Sequence, residues 1–367
     1  MIRLLTGDRL PAEIWQGPGC RHRLPATLAA LGVRRPLVIA SARAWAAADL
    51  AATLDAATII FTGPEGATEA AIAAAAAQAR AERIDGVVSV GGGTTHDMGK
   101  AVALMAPSAK DIGAFLFGAP PVTDFQPLPV LAIPTTFSAA EMVAGGAVVL
   151  AAGGKAIFGH PRIQPRAVFL DGELAATTAR PILAASGLNA VHHCLESLYS
   201  LGHQAFSDAW ACFALERLLR LLPALSPAAP PPPVDTLQAL LEASTMSGLA
   251  YGISGLGVGH AVCHSLAGRW AISHGDANAV ILPHSLAFNA HAAAGQIALA
   301  TRAAGGDLAE ALTALRATLG VVSTLREAGI APDVDLVAAD VLADPITATN
   351  PRPVDRAAVL GILEAAW

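Results

Sequence analysis

Charged residues are scarce in this chain. Asp, Glu, Lys and Arg make up 14% of 367 residues, and 23 basic against 29 acidic side chains leave a net charge of −6. No dense Lys/Arg run occurs, which argues against nucleic acid and anionic membrane surfaces as partners. The four cysteines, Cys20, Cys194, Cys212 and Cys263, show no CxxC spacing, and no secretory n-region and h-region opens the chain, so reduced thiols in a cytoplasmic protein are expected. Although 54% of residues are hydrophobic, the apolar runs are Ala-rich. They are broken by Arg, Glu, Gly or Pro before the roughly 18 to 20 residues that a bilayer span needs. A soluble homo-oligomer, specifically a homodimer, with extensive buried surface is the expectation. The length suits two domains, each with its own core.

Along the first half, strand and helix patterns alternate. Trp15-Gln16-Gly17-Pro18-Gly19 ends an edge strand or hairpin in a turn. Leu24 to Leu31 has helical spacing, Pro36 to Ala40 is a short apolar strand, and Ala44 to Leu54 is helical. A strand over Ala57 to Phe61, a helix over Thr68 to Arg83 and a strand over Gly86 to Val90 follow. Wholly apolar strands alternating with helices predict a parallel sheet covered on both faces. Pro129 to Ile133, Ala147 to Leu150, Lys155 to Phe158 and Ala167 to Leu170 read as further strands. From Asp171 onward the pattern is almost purely helical, and Pro227 to Pro233 is a loop between helices. The predicted class is α/β, with a Rossmann-like dinucleotide-binding domain over residues 1–165 and an all-helical catalytic domain over 166–367. The change of pattern falls near 160 to 178.

Two regions carry chemistry. Gly91-Gly92-Gly93-Thr94-Thr95-His96-Asp97-Met98-Gly99-Lys100 follows a strand and opens a helix. Three glycines let the backbone approach a bound group closely, and the free N–H groups of the first helical turn make an anion site suited to pyrophosphate. The loop is neither GxGxxG nor GK[ST], so it is not a Rossmann first turn or a P-loop. Its bland alternative is a tight helix–strand packing turn. Thr135 and Thr136 end the strand at Pro129 to Ile133, where they could hydrogen-bond a nucleotide. The second region runs from Gly187 to Asn289. Asn189 and His193 are four apart, as are His260 and His264, so each pair shares a helix face. His274 precedes Gly275, where a chain leaving a helix can turn back. One Asn and several His converging between helices suit a metal centre or a polar catalytic pocket, and the bland alternative is buried, hydrogen-bonded core histidines.

Taken together, these motifs resemble a known family. Gly91 to Lys100 resembles the GGGSxxDxxK nucleotide loop of the iron-containing alcohol dehydrogenase superfamily, Pro134-Thr135-Thr136 its PTT turn, and Asn189 to Glu196 and His260 to Asn289 its metal-binding helices. The resemblance runs in order over nearly the whole chain. Its strongest likeness is to maleylacetate reductases: Phe137 to Met142 resembles their YAGSEM turn, His260 to His264 their HKxCH helix, and Asn350-Pro351-Arg352-Pro353 through Trp367 their NPRP…AW end. His96-Asp97 looks more like the alcohol dehydrogenases.

The resemblance implies a dehydroquinate synthase-like architecture with the active site in the cleft between the domains. It also implies NADH or NADPH as cofactor on Gly91, Gly92, Gly93, Thr94, Thr95, Asp97, Thr135 and Thr136. The superfamily's Asp and three His ligands for iron or zinc fall on Asn189, His193, His260 and His274. An Asn oxygen is a weaker, neutral ligand, and the maleylacetate reductases it resembles work without tightly bound iron. The implied reaction is NAD(P)H-dependent reduction of the conjugated C=C of maleylacetate, a small-molecule substrate, to 3-oxoadipate. In it His193, His260 and His274 stabilise an enolate by hydrogen bonds or charge, and His264 is the candidate proton donor. Lys155, Arg162 and Arg352 are the candidates for the substrate carboxylates. The alternative is a metal-dependent alcohol dehydrogenase acting on a small alcohol or aldehyde.

Overall fold

A computed structural model of the chain describes residues 11–54, 58–61 and 66–367. It divides into two compact units, one reaching Thr178 and the other comprising Ala179–Trp367 together with Gly153–Lys155. The division thus lies 13 residues beyond the expected 165/166. The reason is β-pairing: the strand at 167–170, placed by that expectation in the helical domain, belongs to the first unit's sheet.

In the first unit, β1 (Glu13–Gln16), β2 (Pro36–Ala40), β3 (Thr58–Phe61), β4 (Gly86–Gly91), β5 (Val130–Pro134) and β8 (Ala167–Leu170) form one sheet in the order β1-β8-β5-β4-β2-β3. Every pairing in it is parallel. Among the described residues Glu13–Gln16 is an edge strand paired with β8, while the residues before position 11 and Ala57 of the expected third strand lie outside the described residues. Helices α1 (Leu24–Ala30), α2 (Ala42–Ala48), α3 (Glu69–Ala81), α4 (Gly93–Ser108) and the short α5 (Gly172–Ala175) alternate with these strands. The predicted helix over Ala44 to Leu54 ends early, with Asp49 in the left-handed region at φ 52°. Strands β2, β4, β5 and β8 are buried at every position, as a sheet with two covered faces requires. One apolar cluster, with Ile39, Ile72, Val87 and Leu104, packs on one side, and another, with Leu28, Val38, Leu131 and Phe169, on the other. β6 (Gly145–Val149) and β7 (Lys155–Gly159) form a separate two-stranded sheet.

The second unit is helical among the described residues: α6 (Arg180–Tyr199), α7 (Ala205–Leu221), α8 (Val234–Ser254), α9 (Val258–Arg269), α10 (His274–Asn289), α11 (Ala294–Ala304), α12 (Leu308–Leu319), α13 (Val334–Ala343) and α14 (Arg356–Ala365). α6 is buried from Leu183 to Tyr199 on all sides, which makes it the central helix that α7, α8 and α10 surround. Val262, Leu266, Ile281, Val337 and Ile362 anchor a core shared by α9, α10, α13 and α14. Among the described residues no helix is long and apolar enough to cross a membrane.

Candidate active site

In the first unit, β4 ends in the glycine loop and α4 begins at Gly93, with Gly92 as its N-cap and no side chain capping it. The first N–H groups of a helix have no intrahelical acceptor, so this turn presents bare donors. Gly91 sits at φ 159°, and a Cβ there would meet Thr95 Oγ1 at 2.6 Å; a Cβ on Gly92 would meet Thr136 at 3.2 Å. The loop thus tolerates no side chain without displacing the threonines beneath it. Thr136 Oγ1 is buried with no hydrogen-bond partner among the described residues, and Thr94 is exposed at the helix start.

Two expected cofactor residues face inward. Thr95 is buried under Gly91. Asp97 accepts the Ala147 N–H at 3.1 Å and pairs with Lys100 at 3.2 Å, which ties α4 to β6. The Lys100 ammonium is fully buried and also donates to the carbonyls of Ala140 and Gly145.

In the second unit the histidines converge. The His193 ring stacks on His260 at 4.7 Å between centroids, and His260 lies 5.9 Å from His274 and 6.5 Å from His264. His264 stacks on His274 at 5.6 Å, and Tyr251 covers His193 at 4.2 Å. Asn189 links two of them: its Oδ1 is 3.2 Å from His260 Nε2 and its Nδ2 is 3.4 Å from His193 Nε2. His274 reaches the cluster differently from the expectation. It opens α10 behind the N-cap Ser273, whose hydroxyl accepts the Asp276 N–H. Gly275 is there because a Cβ would meet Ala185 of α6 at 2.7 Å, so close helix packing explains this glycine and no helix-ending turn is involved.

Several residues that spacing alone did not single out hold this arrangement. Glu196, one turn beyond His192 on α6, is fully buried. It accepts the N–H groups of Gly257 and Gly259 at 2.9 Å and His260 Nδ1–H at 2.7 Å. A carboxylate from one helix thereby satisfies the bare N-terminus of another and fixes the ring of its first histidine. Burial alone would raise the Glu196 carboxyl, but the neighbouring His260 and His192 and its hydrogen bonds bring it down to about 2. His192 donates from Nδ1 to Asn278 at 2.6 Å. Asn350 accepts the Val258 N–H at 3.1 Å and bonds reciprocally with Asn289, so the Asn-Pro-Arg-Pro segment also secures the start of α9. Asp344 accepts His264 Nδ1–H at 2.8 Å and leaves Nε2 for other partners. The four-residue spacings of Asn189 with His193 and of His260 with His264 were visible in sequence; pairings 64 to 92 residues apart were not.

Burial pushes His193 and His274 well below the ordinary histidine range and His192 to about 4. His193 and His274 are therefore neutral imidazoles near neutral pH. They can offer hydrogen bonds but not the positive charge also expected of them. Each has a buried Nδ1 without a partner among the described residues.

The three candidate substrate cations differ in their surroundings. Lys155 is near His274, whose protonation its charge opposes. Arg162 belongs to the first unit and donates to the Phe125 carbonyl at 3.1 Å. Arg352 lies over the Phe288 ring at 4.1 Å and lines a cavity of about 580 Å³ with His284 and Asp355. None of the clustered histidines lines that cavity.

The first unit matches the family model of iron-containing alcohol dehydrogenases over residues 11–172, and the second matches the C-terminal model of the same family over 183–367. The chain belongs to the iron-containing alcohol dehydrogenase family. It is 30% identical to the 4-hydroxybutyrate dehydrogenase of Cupriavidus necator, covering 91% of this chain and 92% of that one. It is 29% identical to the maleylacetate reductase of Sphingobium indicum, covering 98% and 96%. The crystal structure of maleylacetate reductase from Rhizobium sp. superposes with a TM-score of 0.82 at 28% identity, over 100% of this chain and 97% of that one. The protein is thus an oxidoreductase of this family, whose members use NADH or NADPH and a divalent metal.

Ligand atoms of His192, Glu196 and His260 lie within 4.8 Å of one another and form a candidate metal cluster. These groups are, however, already hydrogen-bonded: His260 Nδ1 to Glu196, His192 through Nδ1 to Asn278 and through Nε2 to Ser285, and Glu196 to the start of α9. The family-like set of Asn189, His193, His260 and His274 carries no carboxylate, so a divalent ion there would keep its charge uncompensated by direct ligands. The set fits such an ion poorly.

Proposed function

We propose that the protein reduces the conjugated double bond of maleylacetate with NAD(P)H, giving 3-oxoadipate. Hydride from the nicotinamide adds to the carbon far from the ketone, NAD(P)H becomes NAD(P)+, and the electron pair of the C=C moves onto the ketone oxygen as an enolate. A proton returned to the adjacent carbon restores the ketone. The glycine turn at Gly91–Gly93 would hold the pyrophosphate. The neutral imidazoles of His193 and His274, each with a buried ring nitrogen that has no partner among the described residues, would supply hydrogen bonds to the enolate oxygen in a dry pocket. His264, oriented by Asp344, would deliver the proton. The observation that carries this reading is the amide at position 189, which supports electrostatic activation by imidazoles over activation by a metal. Lys155 is the cation favoured for a substrate carboxylate, since it lies with the histidines. We also propose a cytoplasmic homodimer acting on small molecules, without nucleic-acid or membrane partners, in keeping with the unpaired thiols and the sparse basic charge.

The likeness to 4-hydroxybutyrate dehydrogenase favours a second reading, oxidation of a small alcohol or reduction of its aldehyde with a metal. NAD(P)H oxidation should be followed with maleylacetate and with a panel of small aldehydes, each with and without chelator. Chelator-insensitive turnover of maleylacetate, at least about tenfold more efficient than any aldehyde, is expected. Preference for an aldehyde together with chelator sensitivity would establish the second reading instead.

A further inference from the structure

We propose that the groove between α10 and α14 is a second binding site, apart from the histidine cluster, for a planar aryl carboxylate. The groove holds a cavity of about 580 Å³, within the size range of small-molecule pockets. One wall is α14, where Ala357, Gly361 and Ala365 recur at four-residue spacing and so share a helix face. Ala358, and Ala287 from α10, add methyl groups to the lining. No side chain at these five positions is larger than a methyl, so the wall is flat enough for a ring to lie on it.

Gly361 points to an occupant. It lies inside α14, away from both caps, where glycine destabilises a helix by about 1 kcal/mol relative to alanine. A positive φ or a close neighbour would account for it, and Gly361 has neither. Its backbone is not left-handed, and a Cβ built on it would meet nothing within 4 Å among the described residues. The chain's own packing leaves this glycine unexplained, whereas a ligand pressed against the helix backbone explains it.

Charge decides what the ligand carries. Arg352 lines the groove with its guanidinium over the Phe288 ring, 4.1 Å from the centroid, and Nη1 donates to the Phe288 carbonyl at 3.2 Å. That bond takes one of the five N–H donors of the group, and the fork that remains matches a carboxylate. His284 also lines the groove; burial and the Arg316 charge lower its pKa, so it adds a neutral imidazole able to hydrogen-bond. The Asp355 carboxylate accepts the Ala358 N–H at 2.8 Å as the N-cap of α14, where the helix N-terminus compensates its charge. An acid group on Arg352 with an aromatic ring across Gly361 is the combination this lining matches.

The test uses the full-length protein, naphthoate as the probe and titration calorimetry as the readout. One equivalent per chain with a dissociation constant of about 1 mM or tighter is expected. Naphthylmethanol, which lacks the carboxylate, should bind at least about tenfold more weakly. Gly361→Leu fills the groove and favours the helix, so it should stay folded by circular dichroism and keep the turnover of whichever substrate the unmodified protein reduces. Its affinity for naphthoate should fall at least about tenfold. Arg352→Met should weaken naphthoate similarly and leave naphthylmethanol unaffected. Naphthoate binding that both variants retain, or no saturable heat up to about 10 mM probe, would overturn the proposal. Hexanoate bound as tightly as naphthoate would overturn the aryl assignment. A dimer that dissociates in Gly361→Leu, with no naphthoate bound by the unmodified protein, would give the groove to a second copy of the chain instead.

Discussion

The carboxyl group of Glu141 is fully buried in a 3-10 turn after β5, and neither of its oxygens is hydrogen-bonded among the described residues. Burial lifts its pKa to about 7 against an ordinary 4.5, and only its own backbone and the Lys100 charge oppose the shift. The folded state therefore holds a proton that the unfolded chain has released, and native stability falls as pH rises from about 4.5 to about 7. Glu141→Gln keeps the shape and removes the ionisation. We expect little stability change at pH 4.5 and a gain of about 3 kcal/mol at pH 8, the order set by a shift of this size. Urea denaturation at both pH values checks this; equal effects at the two would place the cause outside ionisation. At the residue scale the sequence was a partial guide. Asn189, His193, His260, His264 and His274 were identifiable because polar residues on buried helix faces are few. Glu196, Asp344 and Asn350 were not, since a side chain that orients another is recognisable only once the chain has brought it there.

Elements were more legible than partners. β2, β4, β5 and β8 announce themselves as apolar runs of four to six residues, and the glycines after β4 mark the start of α4 for a stated physical reason. What misled was punctuation read without its neighbours. Gly275 suggested a helix end, yet it lies inside α10 where α6 packs closely. The run at 167–170 was legible as a strand, but a boundary at 165/166 cut it from the sheet in which it pairs with β1 and β5. The α4 start supports a direct test. Replacing Gly92 with Val would place a Cβ 3.2 Å from Thr136 and methyl groups over the bare N–H groups of the first turn. We expect a folded protein whose NAD(P)H dissociation constant rises at least about 100-fold, roughly 2.8 kcal/mol at 1.4 kcal/mol per decade. Fluorescence titration of bound NAD(P)H measures it. An unchanged constant would remove the pyrophosphate from this loop.

Each compact unit has its own apolar core: the clusters on the two faces of the sheet draw only on the first, and the cluster around Val262 and Ile281 only on the second. Chains built this way need not unfold in one step. With the dinucleotide contacts proposed for the first unit and the histidine chemistry for the second, cofactor and chelator should act on different parts of the melting profile. Calorimetry of the full chain should resolve two transitions. NAD(P)H at about 100 times its dissociation constant should stabilise the first unit by about 2.7 kcal/mol and shift that transition upward, and Gly92→Val should abolish the shift. Chelator should leave both transitions in place if the amide at 189 denies the histidines a tightly held ion, whereas a downward shift of the second transition on chelation would mean that a metal contributes to its folding. A single transition raised as a whole by NAD(P)H would instead show the units to be thermodynamically coupled, with cofactor binding felt by the helical unit as strongly as by the sheet.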